Sequence, residues 1–324
     1  MKFIAELCQN HNGDFDTLLR MVDAAAEGGA THIKIQHIYA CNLVYRTEFE
    51  DGLNQDGVQK AIRRPWQLEY DRLKGLELSD VECARFVEYV ESIGLIPMTT
   101  CFARGDIDHI AQQGFRTVKV ASYDCASFPM LRELAERFGY LYVSTGATFD
   151  DELCHAADVL RQHAQGYSLL HCVTQYPTPL AEMHLNRIGH LSKFSDEVGF
   201  SDHSLVSRDG MMAAKAAVAC GAKVVERHFT ISDPSATKDG LVSITKDDIR
   251  SLVDFALLTV TDQRAHLSEY HPGWEQMLGK SERWLTDAEL LNRNYYRGRF
   301  ATPRREGAHQ VAEMIFNWEE TPLC

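Results

Sequence analysis

Along the chain, short apolar runs rich in β-branched residues alternate with longer stretches whose apolar positions recur every three or four residues. The short runs fall at residues 3–7, 32–36, 96–100, 117–121, 141–144, 168–173, 198–201 and 223–226. Each is nearly continuous in apolar residues, as in a parallel strand covered on both faces, and lacks the strict alternation of a half-exposed one. The stretches between them, such as DTLLRMVDAAAEGG, SDVECARFVEYVESIG and SRDGMMAAKAAVACGA, have helical spacing and close on or near glycine. Asp247 and Asp248 suit the N-terminus of a last helix over 245–259. Eight such units predict a (β/α)8 TIM barrel over residues 1–262, ahead of a doubly wound open sheet.

Two regions fall outside the repeat. Residues 37–77 form a long polar and aromatic insertion after the second strand, a length that often serves function. Residues 263–324 follow the last barrel helix, and there WEQMLGKSERWLTDAELLNR reads as a helix. A short helical and irregular tail is expected, too polar for a second domain. Its aromatic residues Trp274, Trp284, Tyr295, Tyr296, Phe300 and Trp318 predict packing on the barrel or on a partner chain.

Composition narrows the partners. The 33 basic and 46 acidic residues leave a net charge of −13, which argues against nucleic-acid or anionic-membrane binding. No apolar run approaches the roughly 18 residues of a membrane helix, and MKFIAELCQNHNG lacks a signal-peptide pattern. A cytoplasmic protein is expected. The nine cysteines contain no C-x-x-C pair, so Cys8, Cys101 and Cys172 are read as small core residues and Cys324 as a solvated thiol.

In a (β/α)8 barrel the reacting groups project from the C-terminal strand ends. Those ends carry Glu6, then Lys34, Gln36 and His37, then Thr99 and Thr100, then Lys119, Ser122 and Asp124. They continue with Ser144-Thr145-Gly146, then Thr174, Gln175 and Tyr176, then Ser201-Asp202-His203, and finally Glu226-Arg227-His228. Two chemistries emerge. Lys34 and Lys119, with Ser122, Ser144, Ser201 and the Gly146 turn, suit phosphate and carboxylate oxygens; the bland alternative is a salt bridge to Glu6, Asp124 or Glu226. His203 and His228 end neighbouring strands and can converge on one divalent ion with open positions, no thiolate being evident beside them. Asp239, in DPSATKDG, is a further ligand or a substrate-orienting group.

The blocks AELCQNHNGD, ATHIKIQ, VKVASYD, VSTGAT, LHCVTQYPTP, VGFSDHS and VVERHFT resemble, in order and spacing, those of the sialic acid synthase family. That family includes legionaminic and pseudaminic acid synthases and spore-coat polysaccharide homologues. The resemblance implies a metal-assisted condensation of phosphoenolpyruvate with an open-chain N-acylated hexose, giving a nine-carbon 2-keto-3-deoxy acid and phosphate. It implies that His203 and His228 hold the metal, Mn2+ by preference, with Mg2+, Co2+ or Zn2+ as alternatives. Lys34, Lys119, Ser122, Ser144, Thr174 and Ser201 would bind phosphoenolpyruvate, and Asn12, Gln36, Asp124, Tyr176 and Asp239 would surround the sugar. Asp124 and Glu226 are the candidate proton carriers. A homodimer is implied as well.

Departures from the pattern bear on the sugar. Asp124 stands where sialic acid synthases have Glu, and Asn12 where some of them have Glu. Family members usually continue into an antifreeze-like domain that supplies an arginine to the partner's site; residues 263–324 resemble the segment leading to it. Arg297, Arg299, Arg304 and Arg305 are the candidates to stand in. A shorter aldehyde and a non-catalytic sugar-binding role are the alternatives.

Overall fold

The computed structural model describes residues 1–306 and 310–323, with 305, 306 and 310–312 as backbone alone. The Arg305 side chain and Cys324 lie outside the described residues. Eight parallel strands close into a barrel: β1 Lys2–Cys8, β2 His32–His37, β3 Ile96–Cys101, β4 Thr117–Val120, β5 Tyr140–Ser144, β6 Tyr167–His171, β7 Val198–Asp202 and β8 Val224–His228. Each strand bonds to the next, and β8 returns to β1, pairing Ile4 with Glu226 and Glu6 with His228. Closure satisfies both strand edges, which an open sheet would leave unpaired.

Local chemistry sets the helices. Asp14 caps Phe15–Gly28 by accepting from Thr17 N, and Gly29 ends that helix at φ +99°. Ser79 and Glu82 form a capping box on Asp80–Ser92, as do Thr245 and Asp248 on Lys246–Ala256. The Ala-rich stretch after β7 is two helices, Val206–Asp209 and Met212–Ala219, divided at Gly210 with φ +53°.

Side-chain alternation along the strands splits the core. Phe3, Ala5 and Leu7 join the apolar layer between barrel and helices, while Ile4, Met98, Tyr142, Leu170 and Val224 form a plug within the barrel. That plug is the floor beneath the strand-end chemistry.

The insertion carries a small hairpin, Leu53–Gln55 with Val58–Ala61, and the helix Trp66–Lys74. The tail is helical and irregular as expected, with two additions to that reading: a break in the helix read at 274–293, and a hairpin. After helix Val260–Tyr270, a 3-10 turn at Trp274–Met277 is separated from helix Asp287–Tyr296. Gly279 at φ +49° interrupts the run, and a Thr286–Glu289 capping box starts the second helix afresh. Beyond it lies a hairpin, β9 Ala301–Glu306 antiparallel to β10 Gln310–Phe316. Insertion and tail pack on each other: Phe300 joins Ile38, Leu43 and Leu73, and Tyr295 joins Phe49 and Ala61. Trp274, Tyr295 and Phe300 are buried on this chain, whereas Trp284 is 88% exposed. Among the described residues, no helix is long and apolar enough to cross a membrane.

Candidate active site

The C-terminal strand ends open into a cavity of about 450 Å³, within the usual range for small-ligand sites. Strand alternation builds its base. On β1, Ile4 belongs to the plug and Glu6, two residues on, faces the cavity. Lys34 on β2 pairs with Glu6 and lies 3.3 Å from Glu226 on β8, while its Nζ donates to Thr100 Oγ1 at 2.9 Å. Lys119 Nζ on β4 lies 3.3 Å from the other Glu226 oxygen. Both lysines thus make the salt bridges weighed against anion binding, yet both still line the cavity. Burial pulls the Lys34 ammonium below its ordinary range, against the Glu226 carboxylate. Burial also disfavours ionisation of Glu226, but Lys119 and Lys34 outweigh it and hold that carboxyl below its usual range.

Ser122, Ser144 and Ser201 share this cavity. Ser144 Oγ is buried without a hydrogen-bond partner, and Ser122 Oγ lies 2.8 Å from Cys172 Sγ. Thr145 instead bonds Leu170 O. A Cβ at Gly146 would stand 2.6 Å from Cys172 Sγ, so the turn after β5 requires glycine. Thr174 is fully buried and outside the lining; its carbonyl accepts from Asn292 Nδ2 at 2.8 Å.

Of the sugar group, Gln36, Asp124, Tyr176 and Asp239 line the cavity. Asn12 does not. It is exposed at φ +52°, and its amide reaches Ala236 O at 3.4 Å. Asp124 Oδ1 accepts from Ser127 Oγ at 3.1 Å and from Asn317 Nδ2 at 2.9 Å. Burial pushes its carboxyl up to about 6 against those two hydrogen bonds.

The His203 and His228 rings lie 5.4 Å apart between centroids, and Tyr176 packs on His203 at 4.0 Å. Burial holds both imidazoles neutral, and both Nδ1 atoms are buried without a hydrogen-bond partner. Asp239 Oδ2 stands 4.0 Å from His228 Nδ1. Donor atoms of Cys8, His228 and Asp239 all lie within 4.8 Å of one another. A thiol therefore does stand beside His228, contrary to expectation. Cys8, Cys101 and Cys172 are all buried as expected, but only Cys101 joins an apolar cluster, and Cys172 lines the cavity. Asp202 and Arg227, also strand-end residues, form a fully buried ion pair outside the lining. Ser204 completes it, with its N–H on Asp202 Oδ1 and its Oγ accepting from Arg227. This pair fixes the backbone beside both histidines.

The insertion, the loop after β8 and the tail supply groups the strand ends could not reveal. Arg64, Arg72, Lys238 and Arg299 join Lys34 and Lys119, so six basic side chains face the four carboxyls Glu6, Asp124, Glu226 and Asp239. Of the described candidate arginines, only Arg299 reaches this lining, and it pairs with Glu69. Arg297 is 3.3 Å from Glu152, and Arg304 is 3.3 Å from Glu313. Tyr296 stacks on Tyr123 at 4.8 Å, and Asn317 reaches in from beyond β10.

Comparison with known proteins places these features in context. A model of the NeuB family matches residues 21–261. The N,N'-diacetyllegionaminic acid synthase of Legionella pneumophila is 30% identical over 94% of this chain and 80% of that protein. The pseudaminic acid synthase of Campylobacter jejuni is 29% identical over 78% of this chain and 71% of its own length. The solved structure of the spore coat polysaccharide biosynthesis protein SpsE of Bacillus subtilis superposes with a TM-score of 0.65 at 25% identity, covering 91% of this chain and 77% of that one.

Proposed function

Since the chain belongs to the NeuB family, the family of the sialic acid synthases, we propose that it condenses phosphoenolpyruvate with an open-chain hexose aldehyde to give a nonulosonic acid and phosphate. One arrangement carries this function: buried lysines and an unpartnered serine hydroxyl share a cavity with two neutral histidines, beneath a basic roof.

In this reaction C3 of phosphoenolpyruvate bonds to the aldehyde carbon, whose oxygen takes a proton. Water adds at C2, and the C–O bond to phosphate breaks to leave the ketone. Lys34 and Lys119 would hold the carboxylate and phosphate oxygens, with Ser122, Ser144 and Ser201 donating hydrogen bonds. Glu226 lies 3.3 Å from each lysine and would keep both ammonium heads aimed at one point. The free Nδ1 atoms of His203 and His228, with Asp239 nearby, fit a divalent cation, which when bound supplies Lewis acidity toward the aldehyde oxygen. Asp124 suits proton transfer better than Glu226, because a carboxyl near 6 exchanges its proton close to neutral pH. Gln36 and Tyr176 would orient the sugar chain against it.

The test is phosphate release from phosphoenolpyruvate with Mn2+, then with EDTA, against N-acetylmannosamine, a 2,4-diacetamido-trideoxyhexose, mannose and arabinose 5-phosphate. Sugar-dependent, EDTA-sensitive release is expected, greatest with an acylamino hexose. Preference for arabinose 5-phosphate would move the substrate to shorter aldehydes. Release with no sugar would overturn the condensation.

A further inference from the structure

We propose that Cys8 is a thiolate ligand which, with His228 and Asp239, makes this a site for a thiophilic divalent ion such as Zn2+, Co2+ or Fe2+. This deepens the proposed function by naming the donor set and class of its cation.

The backbone at Cys8 is unusual. The β1–β2 ladder runs in register to Glu6 opposite Lys34, then slips so that Cys8 stands opposite Ile35. Such irregularities re-aim side chains at strand ends. Cys8 sits at φ +43°, a left-handed conformation that non-glycine residues adopt at a cost. Glycine would relax this position, so a cysteine there calls for a reason that core packing does not provide. Cys83, Cys101 and Cys125 join the large apolar cluster between barrel and helices, whereas Cys8, although fully buried, is not part of it.

The surroundings point to a ligand. The Cys8, His228 and Asp239 donors lie within 4.8 Å of one another. Donors bound tetrahedrally at about 2.0–2.3 Å stand roughly 3.5 Å apart, so small side-chain rotations close this group around an ion. His228 Nδ1 is buried without a hydrogen-bond partner. Thiolate with imidazole and carboxylate favours the softer end of the divalent series, whereas Mg2+ and Mn2+ prefer all-oxygen sets.

The scaffold holds the three donors together. Asn10 Nδ2 donates to Phe229 O and Ser243 Oγ, both at 2.9 Å, and Ser243 Oγ donates to Asp239 O at 2.8 Å. Phe229 N bonds Glu6 O and Ile244 N bonds His228 O, each at 2.8 Å. The end of β1, the end of β8 and the Asp239 loop are thereby tied into one unit, as outer hydrogen bonds commonly orient metal ligands. His203, beside His228, is the adjacent donor.

The test titrates metal-free protein with Co2+ and reads thiolate-to-cobalt charge transfer in the near ultraviolet. The full-length chain should show a saturable band that Zn2+ abolishes by displacing Co2+ and equimolar Mn2+ does not. Cys8→Ser and Cys8→Gly should lose the band and bind Zn2+ at least ~10–100-fold more weakly. Glycine suits the φ of this position, so that variant keeps the test sound if serine impairs folding. Cys172→Ser should retain the band. A band persisting in both Cys8 variants, or no band at saturating Co2+, overturns the assignment. Sugar-dependent phosphate release by a Co2+ form without the band would leave the condensation standing and remove the thiolate. A Cys8-dependent band without turnover on any sugar would do the reverse.

Discussion

At the scale of single residues, the site is governed by how buried charges are matched. Glu226 is shared by Lys34 and Lys119 at 3.3 Å each, and all three are nearly inaccessible. Removing one partner of a buried ion pair is expensive, about 3–5 kcal/mol when nothing else compensates. Lys34 still faces Glu226, so Lys119→Ala should destabilise by less than that, and adding Glu226→Gln should recover part of the loss in denaturant melts. In kinetics, Lys119→Ala should raise KM for phosphoenolpyruvate roughly tenfold or more and the sugar KM far less. An unchanged phosphoenolpyruvate KM would place the anion elsewhere. Both lysines were legible in the sequence because alternate residues of a barrel strand face inward. Cys8 was not. A cysteine at the end of an apolar run reads as core, and its nearness to His228 and Asp239 emerges only in the fold, where the ladder slips and Cys8 takes a positive φ. Asn12, read as a sugar contact, is exposed and lies outside the cavity lining.

At the scale of elements, each of the eight apolar runs became a barrel strand, since a continuous apolar segment bounded by polar ends is a strong local signal. The insertion and tail were obscure because their stability comes from each other. Glu69, on helix Trp66–Lys74, is the junction: Arg72 chelates it from its own helix, Arg299 from the tail, and Lys238 from 3.6 Å in the loop after β8. Burial works to raise this carboxyl, but the Arg72 hydrogen bonds and the charges of Arg299 and Lys238 outweigh it and hold it at about 2. Its folded value lies below the roughly 4.3 of an unfolded chain, so its stabilisation is full above that pH and fades as pH falls toward 2. Glu69→Gln should therefore lower stability at pH 7 by on the order of 1–2 kcal/mol, allowing for solvent screening. The difference from wild type should shrink as pH drops below about 4. A gap independent of pH between 7 and 3 would mean that shape, not charge, joins these elements.

At the scale of the whole molecule, the barrel strand ends supply the base of the cavity, and residues of the insertion and tail complete its lining. A net charge of −13 surrounds a cavity where basic side chains outnumber acidic ones, so the attraction for an anion is local and comes partly from insertion and tail. Asn317 makes this dependence specific. Its amide donates to Asp124 Oδ1 and Phe102 O, both at 2.9 Å, and its side-chain oxygen accepts from Arg104 N at 3.2 Å. No periodicity in residues 301–324 could announce that a residue beyond a tail hairpin would bind a strand-end carboxylate nearly 200 positions earlier. The hydrogen bond favours the charged form of Asp124, opposing the burial that lifts it to about 6. Asn317→Ala should therefore push Asp124 higher still. If ionised Asp124 accepts the proton released by the water that adds at C2, the acid limb of kcat/KM for the sugar should begin near pH 6 in the wild type and move upward in the variant. Loss of three buried hydrogen bonds should also cost about 1–3 kcal/mol of stability. Asn317→Asp separates the two effects. It places a second carboxylate against Asp124 and should shift the limb further than alanine does, because like charges disfavour joint ionisation. A limb that stays in place in both variants would detach Asp124 from the proton transfer and reduce Asn317 to a clasp on the barrel.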